Sequence, residues 1–187
     1  MSRAGQATAS LLAVTVAMAV IALRFGLSPA LPAFCYLAAA GVTLALIDAR
    51  HRRLPDALTL PSYPIAVLLL GIAAAAEPGG TGHFLDAVLG MAAAGACFVL
   101  QAIACPEGLG WGDVKLAGLL GLYLGWLGPG ALVGGLFLGY LLAAATGLAL
   151  IAAGRATRKS QLPFGPFLVA GTLAVIALTG LTSPTFW

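Results

Sequence analysis

Long apolar runs alternate with short polar breaks along the whole chain, and most of the runs approach the roughly 20 residues that a helix needs to cross a bilayer. The first covers residues 8–24 and closes on Arg24, after which Ser28-Pro29 and Pro32 mark a turn. No persuasive cleavage site follows it, so a retained span is expected in place of a removed signal. The second runs from Leu31 to Asp48 and stops at Ala49-Arg50-His51-Arg52-Arg53. Pro61 and Pro64 make the start of the third irregular, and it ends near Glu77-Pro78-Gly79-Gly80. Residues 84–104 form the fourth. The fifth, from Asp113 to about Leu127, is short and is expected to be buried among the others. A sixth follows the turn Gly128-Pro129-Gly130 and reaches about Ala153, and a seventh starts near Pro163-Phe164-Gly165-Pro166. The pattern predicts an all-α, polytopic membrane helix bundle of about seven transmembrane helices, with residues 1–187 as a single domain.

Composition agrees and narrows the function classes. With 61% hydrophobic and 8% charged residues, the chain has almost no soluble mass, so the lipid bilayer is its expected environment. A formal charge of +3 would suggest nucleic acid only if the basic residues formed a patch on a soluble surface, and they sit in short loops between spans. Those loops report topology. With the N-terminus inside, Arg3, Arg50, Arg52, Arg53, Lys115, Arg155, Arg158 and Lys159 fall on the cytoplasmic side and only Arg24 outside, as the positive-inside rule requires; the C-terminus is then external. Cys35, Cys97 and Cys105 lack C-x-x-C spacing and read as small apolar fillers, and no metal site or cofactor is expected. His83 reads as a solvated loop residue. Gly121/Gly125, Gly130/Gly134 and Gly135/Gly139 are G-x-x-x-G pairs, which permit close helix approach.

The chemistry concentrates in Glu107-Gly108-Leu109-Gly110-Trp111-Gly112-Asp113-Val114-Lys115-Leu116, where a glycine-rich turn leads to an aspartate at the start of an apolar run. A carboxylate there is costly and is a functional candidate, although a lone one would read first as an N-cap at the membrane surface. Gly110 and Gly112 let the backbone turn tightly and approach a ligand. The second acid decides between the readings. Asp48 ends an inward-going span and Asp113 begins an outward-going one, so two acids from separate helices lie at similar depth at the cytoplasmic boundary. Paired carboxylates suit hydrolysis: one acts as base on a water, while the other, protonated, supports the scissile carbonyl and then protonates the leaving amine. The alternative is a proton-coupled transporter, but its acids belong at the midplane and no inverted repeat of interrupted helices is apparent. Asp56 is the nearest decoy for Asp48 and reads as a cap or turn residue. Lys115, two positions beyond Asp113, points to a different face and is expected to anchor the span at the headgroups or to orient substrate.

Gly110-Trp111-Gly112-Asp113-Val114-Lys115-Leu116 resembles the G-x-G-D-x-K-L motif of the bacterial type IV prepilin peptidases. Asp48, followed by Leu54-Pro55-Asp56-Ala57-Leu58-Thr59-Leu60-Pro61, is similar to that family's first catalytic aspartate and its L-P-D-x-L-T-L-P segment, and Pro163-Phe164-Gly165-Pro166 to its P-F-G-P signature. The three motifs stand in the family's order over roughly residues 40–175. Presenilin-type proteases share G-x-G-D, but their Y-D motif is absent and the Pro-Ala-Leu of residues 29–31 precedes both aspartates. The resemblance implies a multi-pass aspartic endopeptidase of the bacterial inner membrane, with Asp48 and Asp113 catalytic. It would remove the short basic leader of prepilin-like or pseudopilin proteins by cutting after a glycine at the cytoplasmic face. No extended domain separates the first two spans and no paired C-x-x-C occurs, so cleavage without methyl transfer is expected, in a compact form like the peptidases of tight-adherence pili or pseudopilin secretion.

Overall fold

The structure, a computed structural model, describes residues 3–105, 109–155, 157 and 162–179. Pro106, Glu107 and Gly108 of the glycine turn, the basic pair Arg158 and Lys159, and the C-terminal end after residue 179 lie outside them. Among the described residues seven helices follow in order: α1 (Arg3–Phe25), α2 (Leu31–His51), α3 (Asp56–Ala76), α4 (Gly80–Ala104), α5 (Trp111–Trp126), α6 (Pro129–Ala152) and α7 (Gly165–Leu178). Among the described residues there is no strand. Of the seven, α2, α3, α4 and α6 are each long and apolar enough to cross a membrane by themselves. The outward faces of α3, α4 and α6 carry large exposed side chains such as Leu68, Leu89, Leu100, Phe137 and Leu148. In water so much exposed apolar surface would drive aggregation, whereas in lipid it is solvated and only the interior has to be packed.

The interior is built on α5, whose residues from Leu116 to Trp126 are all buried. Its sequence permits this because glycines face its neighbour. A Cβ added at Gly90 of α4 would stand 2.5 Å from the Gly121 carbonyl oxygen and 2.7 Å from Gly125 Cα, so the two helices touch backbone to backbone. The pair α6 and α7 closes in the same way at Gly135, Gly139 and Gly171. Two of the three expected glycine pairs therefore make close crossings. Gly130 does not, with nothing within 4 Å of its Cβ position.

Three expectations change in detail. The third helix starts at Asp56 and carries Pro61 and Pro64 inside it, in a stretch where the Thr59 and Ser62 hydroxyls donate to the carbonyls of Pro55 and Leu58. His83 is not a solvated loop residue: it lies in α4, stacks on Trp126 with ring centroids 5.6 Å apart, and its Nδ1 meets the Trp126 carbonyl at 3.2 Å. Cys97 and Cys105 are exposed and fill no core.

Candidate active site

Asp48 sits in the last turn of α2. That helix stops because Arg52 takes a left-handed conformation, φ 51° and ψ 34°, from which its N–H donates to the Asp48 carbonyl at 2.7 Å. Arg50, Arg52 and Arg53 are exposed, while the Asp48 side chain is only 5% exposed and turns into the bundle. There the Gly165 N–H, at the start of α7, donates to its Oδ2 at 3.0 Å. A Cβ at Gly165 would come within 2.8 Å of that oxygen, so the contact needs a residue without one. The preceding Phe164 is held by rings from two other helices, with centroids 4.9 Å from Tyr140 and 6.2 Å from Phe98. The P-F-G-P segment thus fixes an amide on the first aspartate. Sequence reasoning matched this motif and assigned Gly165 no role; the motif was itself the available signal.

Asp113 is the third residue of α5, whose N-cap is Gly110 in extended conformation, φ −77° and ψ 147°, with no side-chain cap bond. Asp113 is therefore not the N-cap of the lone-acid reading. Its carboxyl turns back toward the Gly110 amide, as the third helical residue does in a capping box. The other oxygen, Oδ1, is buried with no hydrogen-bond partner. Asp48 is near enough for its charge to act on Asp113, so the two acids expected to pair are brought together from different helices at one end of the bundle. Tyr140 of α6 also stands within electrostatic reach of Asp113, and its hydroxyl donates to Gln101 Oε1 of α4. Nothing in the sequence pointed to Tyr140 or Gln101, because their pairing exists only once α4 and α6 are packed.

The remaining candidates surround the dyad without joining it. Lys115 reaches Asp56 with Nζ to Oδ1 at 2.7 Å, the one ion pair among the described residues. Asp56 is the first helical residue of α3, after an N-cap at Pro55, so the expected cap is instead a clamp between α3 and α5. Tyr63 reinforces it by donating its hydroxyl to the Lys115 carbonyl at 2.6 Å. Gly112 adopts no positive φ; its Cβ position lies 3.0 Å from Leu54 Cβ. The reason for glycine there is close packing of the helix start on the Leu54-Pro55-Asp56 segment.

A bundle with lipid-facing apolar helices, which holds one carboxylate from α2 within electrostatic reach of another from α5 at one end, defines a multi-pass membrane protein with two acids at that end. The comparisons narrow this further. Residues 35–181 match the family model described as the type IV leader peptidase family, and the chain belongs to that family. A prepilin leader peptidase/N-methyltransferase of Burkholderia pseudomallei is 36% identical over 158 residues, covering 81% of this chain and 48% of the relative. The protein of the same description from Pseudomonas aeruginosa is 32% identical over 168 residues, covering 83% and 53%. That from Aeromonas hydrophila is 36% identical over 141 residues, covering 72% and 46%. The chain spans about half the length of the curated relatives it matches. No solved structure gives a significant match.

Proposed function

We propose that this protein is an intramembrane aspartic endopeptidase of the bacterial inner membrane, acting as a single domain that removes the leader peptide of a prepilin-like or pseudopilin substrate. The observation that carries the reading is that Asp48 and Asp113, from two separate family motifs, lie within electrostatic reach of each other, with one Asp113 oxygen unpartnered. In the proposed reaction the ionised member of the pair takes a proton from a water, whose oxygen adds to the scissile carbonyl. The protonated member donates to the carbonyl oxygen, and a proton then passes to the leaving amine as the C–N bond breaks. The Gly165 amide orients Asp48 throughout. Gly110 turns its amide toward Asp113, Gly112 lets the start of α5 pack on Leu54, and Lys115 holds α5 to α3. Neither a metal nor a cofactor enters the scheme.

The proposed orientation puts the dyad at the cytoplasmic end. Arg50, Arg52, Arg53, Lys115 and Arg155 lie at the helix ends on the dyad's side, while Arg24 and Glu77 lie at the other. A prepilin leader is basic and cytoplasmic, so enzyme and cleavage site share a face. The transporter alternative has no support in these relatives, and the two acids stand at one end of the bundle. Co-expression with candidate prepilins, read by the gel-mobility shift that leader loss produces, tests the proposal. Conversion by the native chain and none by Asp48→Asn or Asp113→Asn supports it; conversion by either variant, present at native levels, overturns it.

A further inference from the structure

At the end of the bundle opposite the dyad, α1, α5 and the start of α4 enclose a cavity of about 60 Å³ lined by Arg24, Phe25, Glu77, His83 and Trp126 among others. An open cleft of about 470 Å³ adjoins it, sharing Arg24, Phe25 and Glu77 and running past Ser28 to Leu23 and Leu27. Three polar atoms around these spaces are buried without a hydrogen-bond partner: Arg24 Nε, Ser28 Oγ and Glu77 Oε1. Arg24 and Glu77 carry opposite charges and do not form an ion pair. Both residues are half-buried, and each turns one polar atom away from solvent toward the same space, where it is costly to leave that atom without a partner. His83 is committed to Trp126, and the Arg24 guanidinium stands 5.7 Å over the Phe25 ring, which leaves its N–H groups to hydrogen-bond elsewhere.

We propose that this cavity and cleft bind the headgroup of a zwitterionic phospholipid bearing a primary ammonium. An anion alone would leave Glu77 unanswered, and a cation alone would leave Arg24 and Ser28 so. A phosphodiester joined through two carbons to an ammonium answers all three at once: phosphate oxygens accept from Arg24 Nε and Ser28 Oγ, and the ammonium donates to Glu77 Oε1 in the aromatic-walled recess. The ammonium must be primary, because a trimethylammonium has no N–H to give Glu77. Leu23 and Leu27, 88% and 101% exposed, flank the cleft where the acyl chains of a lipid held by its head would pass. The site shares no residue with the dyad and does not rest on the peptidase reading.

The test uses the full chain, purified and delipidated in detergent, with native mass spectrometry and thermal unfolding as readouts. The probes are dioleoyl phosphatidylethanolamine, phosphatidylcholine and phosphatidylglycerol, and soluble phosphoethanolamine. The ethanolamine lipid is expected to bind at least tenfold more tightly than the other two and to raise the unfolding temperature. Glu77→Gln should reduce its binding to the level of the choline lipid, and Arg24→Gln should weaken the ethanolamine and choline lipids alike. Where Arg24→Gln does not fold, the selectivity of the native chain and of Glu77→Gln decides the matter. Equal binding of all three lipids by the native chain, an ethanolamine preference that survives Glu77→Gln, or unweakened binding in a folded Arg24→Gln, means that the cavity holds water only and overturns the site. Stabilisation by soluble phosphoethanolamine at the concentration where the lipid saturates overturns the lipid assignment in favour of a free phosphoamine.

Discussion

Gly165→Ala isolates the hydrogen bond from the Gly165 N–H to Asp48. The added methyl would stand 2.8 Å from Asp48 Oδ2 and 3.2 Å from its Cγ, against an ordinary C···O contact of about 3.4 Å. The carboxyl or the start of α7 must therefore move by roughly 0.6 Å, along the direction that lengthens the 3.0 Å bond from the Gly165 N–H. Misplacement of a reacting group by about 1 Å can cost on the order of a hundredfold in rate, so 0.6 Å alone corresponds to roughly tenfold, or about 1.4 kcal/mol. Weakening a hydrogen bond to a buried carboxylate frees its rotamers and carries the expected loss toward a hundredfold. The assay is the initial rate of prepilin leader cleavage at matched enzyme, with thermal unfolding in detergent to confirm the fold. Gly130→Ala is the control, since its new methyl meets nothing within 4 Å and should leave the rate unchanged. A folded Gly165→Ala enzyme within twofold of native activity would refute the claim that this amide positions the acid.

Asp48→Asn, Asp113→Asn and the double variant should be almost equally inactive in the same assay, because losses within a catalytic pair do not multiply; substantial cleavage by either single variant would falsify the paired-acid mechanism. The native rate should follow a bell-shaped pH profile, falling at low pH where both acids are protonated and at high pH where both are ionised, and a profile with one limb would count against a shared proton. Asp56→Asn and Lys115→Met should each lower activity only in part. Their double-mutant cycle in thermal unfolding should give a coupling of about 0.2–1 kcal/mol that shrinks in high salt, as for an exposed pair; abolition of cleavage by Asp56→Asn would reassign the first acid. Gly112→Ala should insert normally and cost less activity than Gly165→Ala, because its methyl meets Leu54 Cβ at 3.0 Å and no carboxylate; unchanged turnover would show that the packing there is slack.

The helices were legible because their period is irrelevant in lipid: length and apolarity alone mark a span, and breaks such as Gly128-Pro129 end it. The burial of α5 was legible from its shortness. The inclusion of Pro61 and Pro64 within α3 was not, because two interior prolines argue against a helix unless neighbouring groups take up the freed backbone, which only packing decides. The two acids could be paired from topology, since both stand at helix ends of the same parity. What holds them could not. The Gly165 amide lies 117 residues from Asp48, and the Lys115–Asp56 bridge joins positions 59 apart, contacts with no local pattern. Gly112 was read as a backbone freed for an unusual turn, whereas its constraint comes from Leu54 in another segment.

The shortness of α5 has a further consequence for the supply of water. With 16 residues, α5 is about 24 Å long, while the hydrocarbon slab is about 30 Å thick. The outer helices α3, α4 and α6, of 21, 25 and 24 residues, reach about 31–38 Å and match or exceed the slab. The centre of the protein is thus shallower than its rim by at least 7 Å or so, a hydrophobic mismatch that lipid cannot fill because the rim excludes it. Where that deficit falls at the dyad's end, it would form a dimple in the membrane surface. Asp113, in the first turn of α5, lies on the floor of any such dimple at that end, where bulk solvent descends below the level of the surrounding acyl chains.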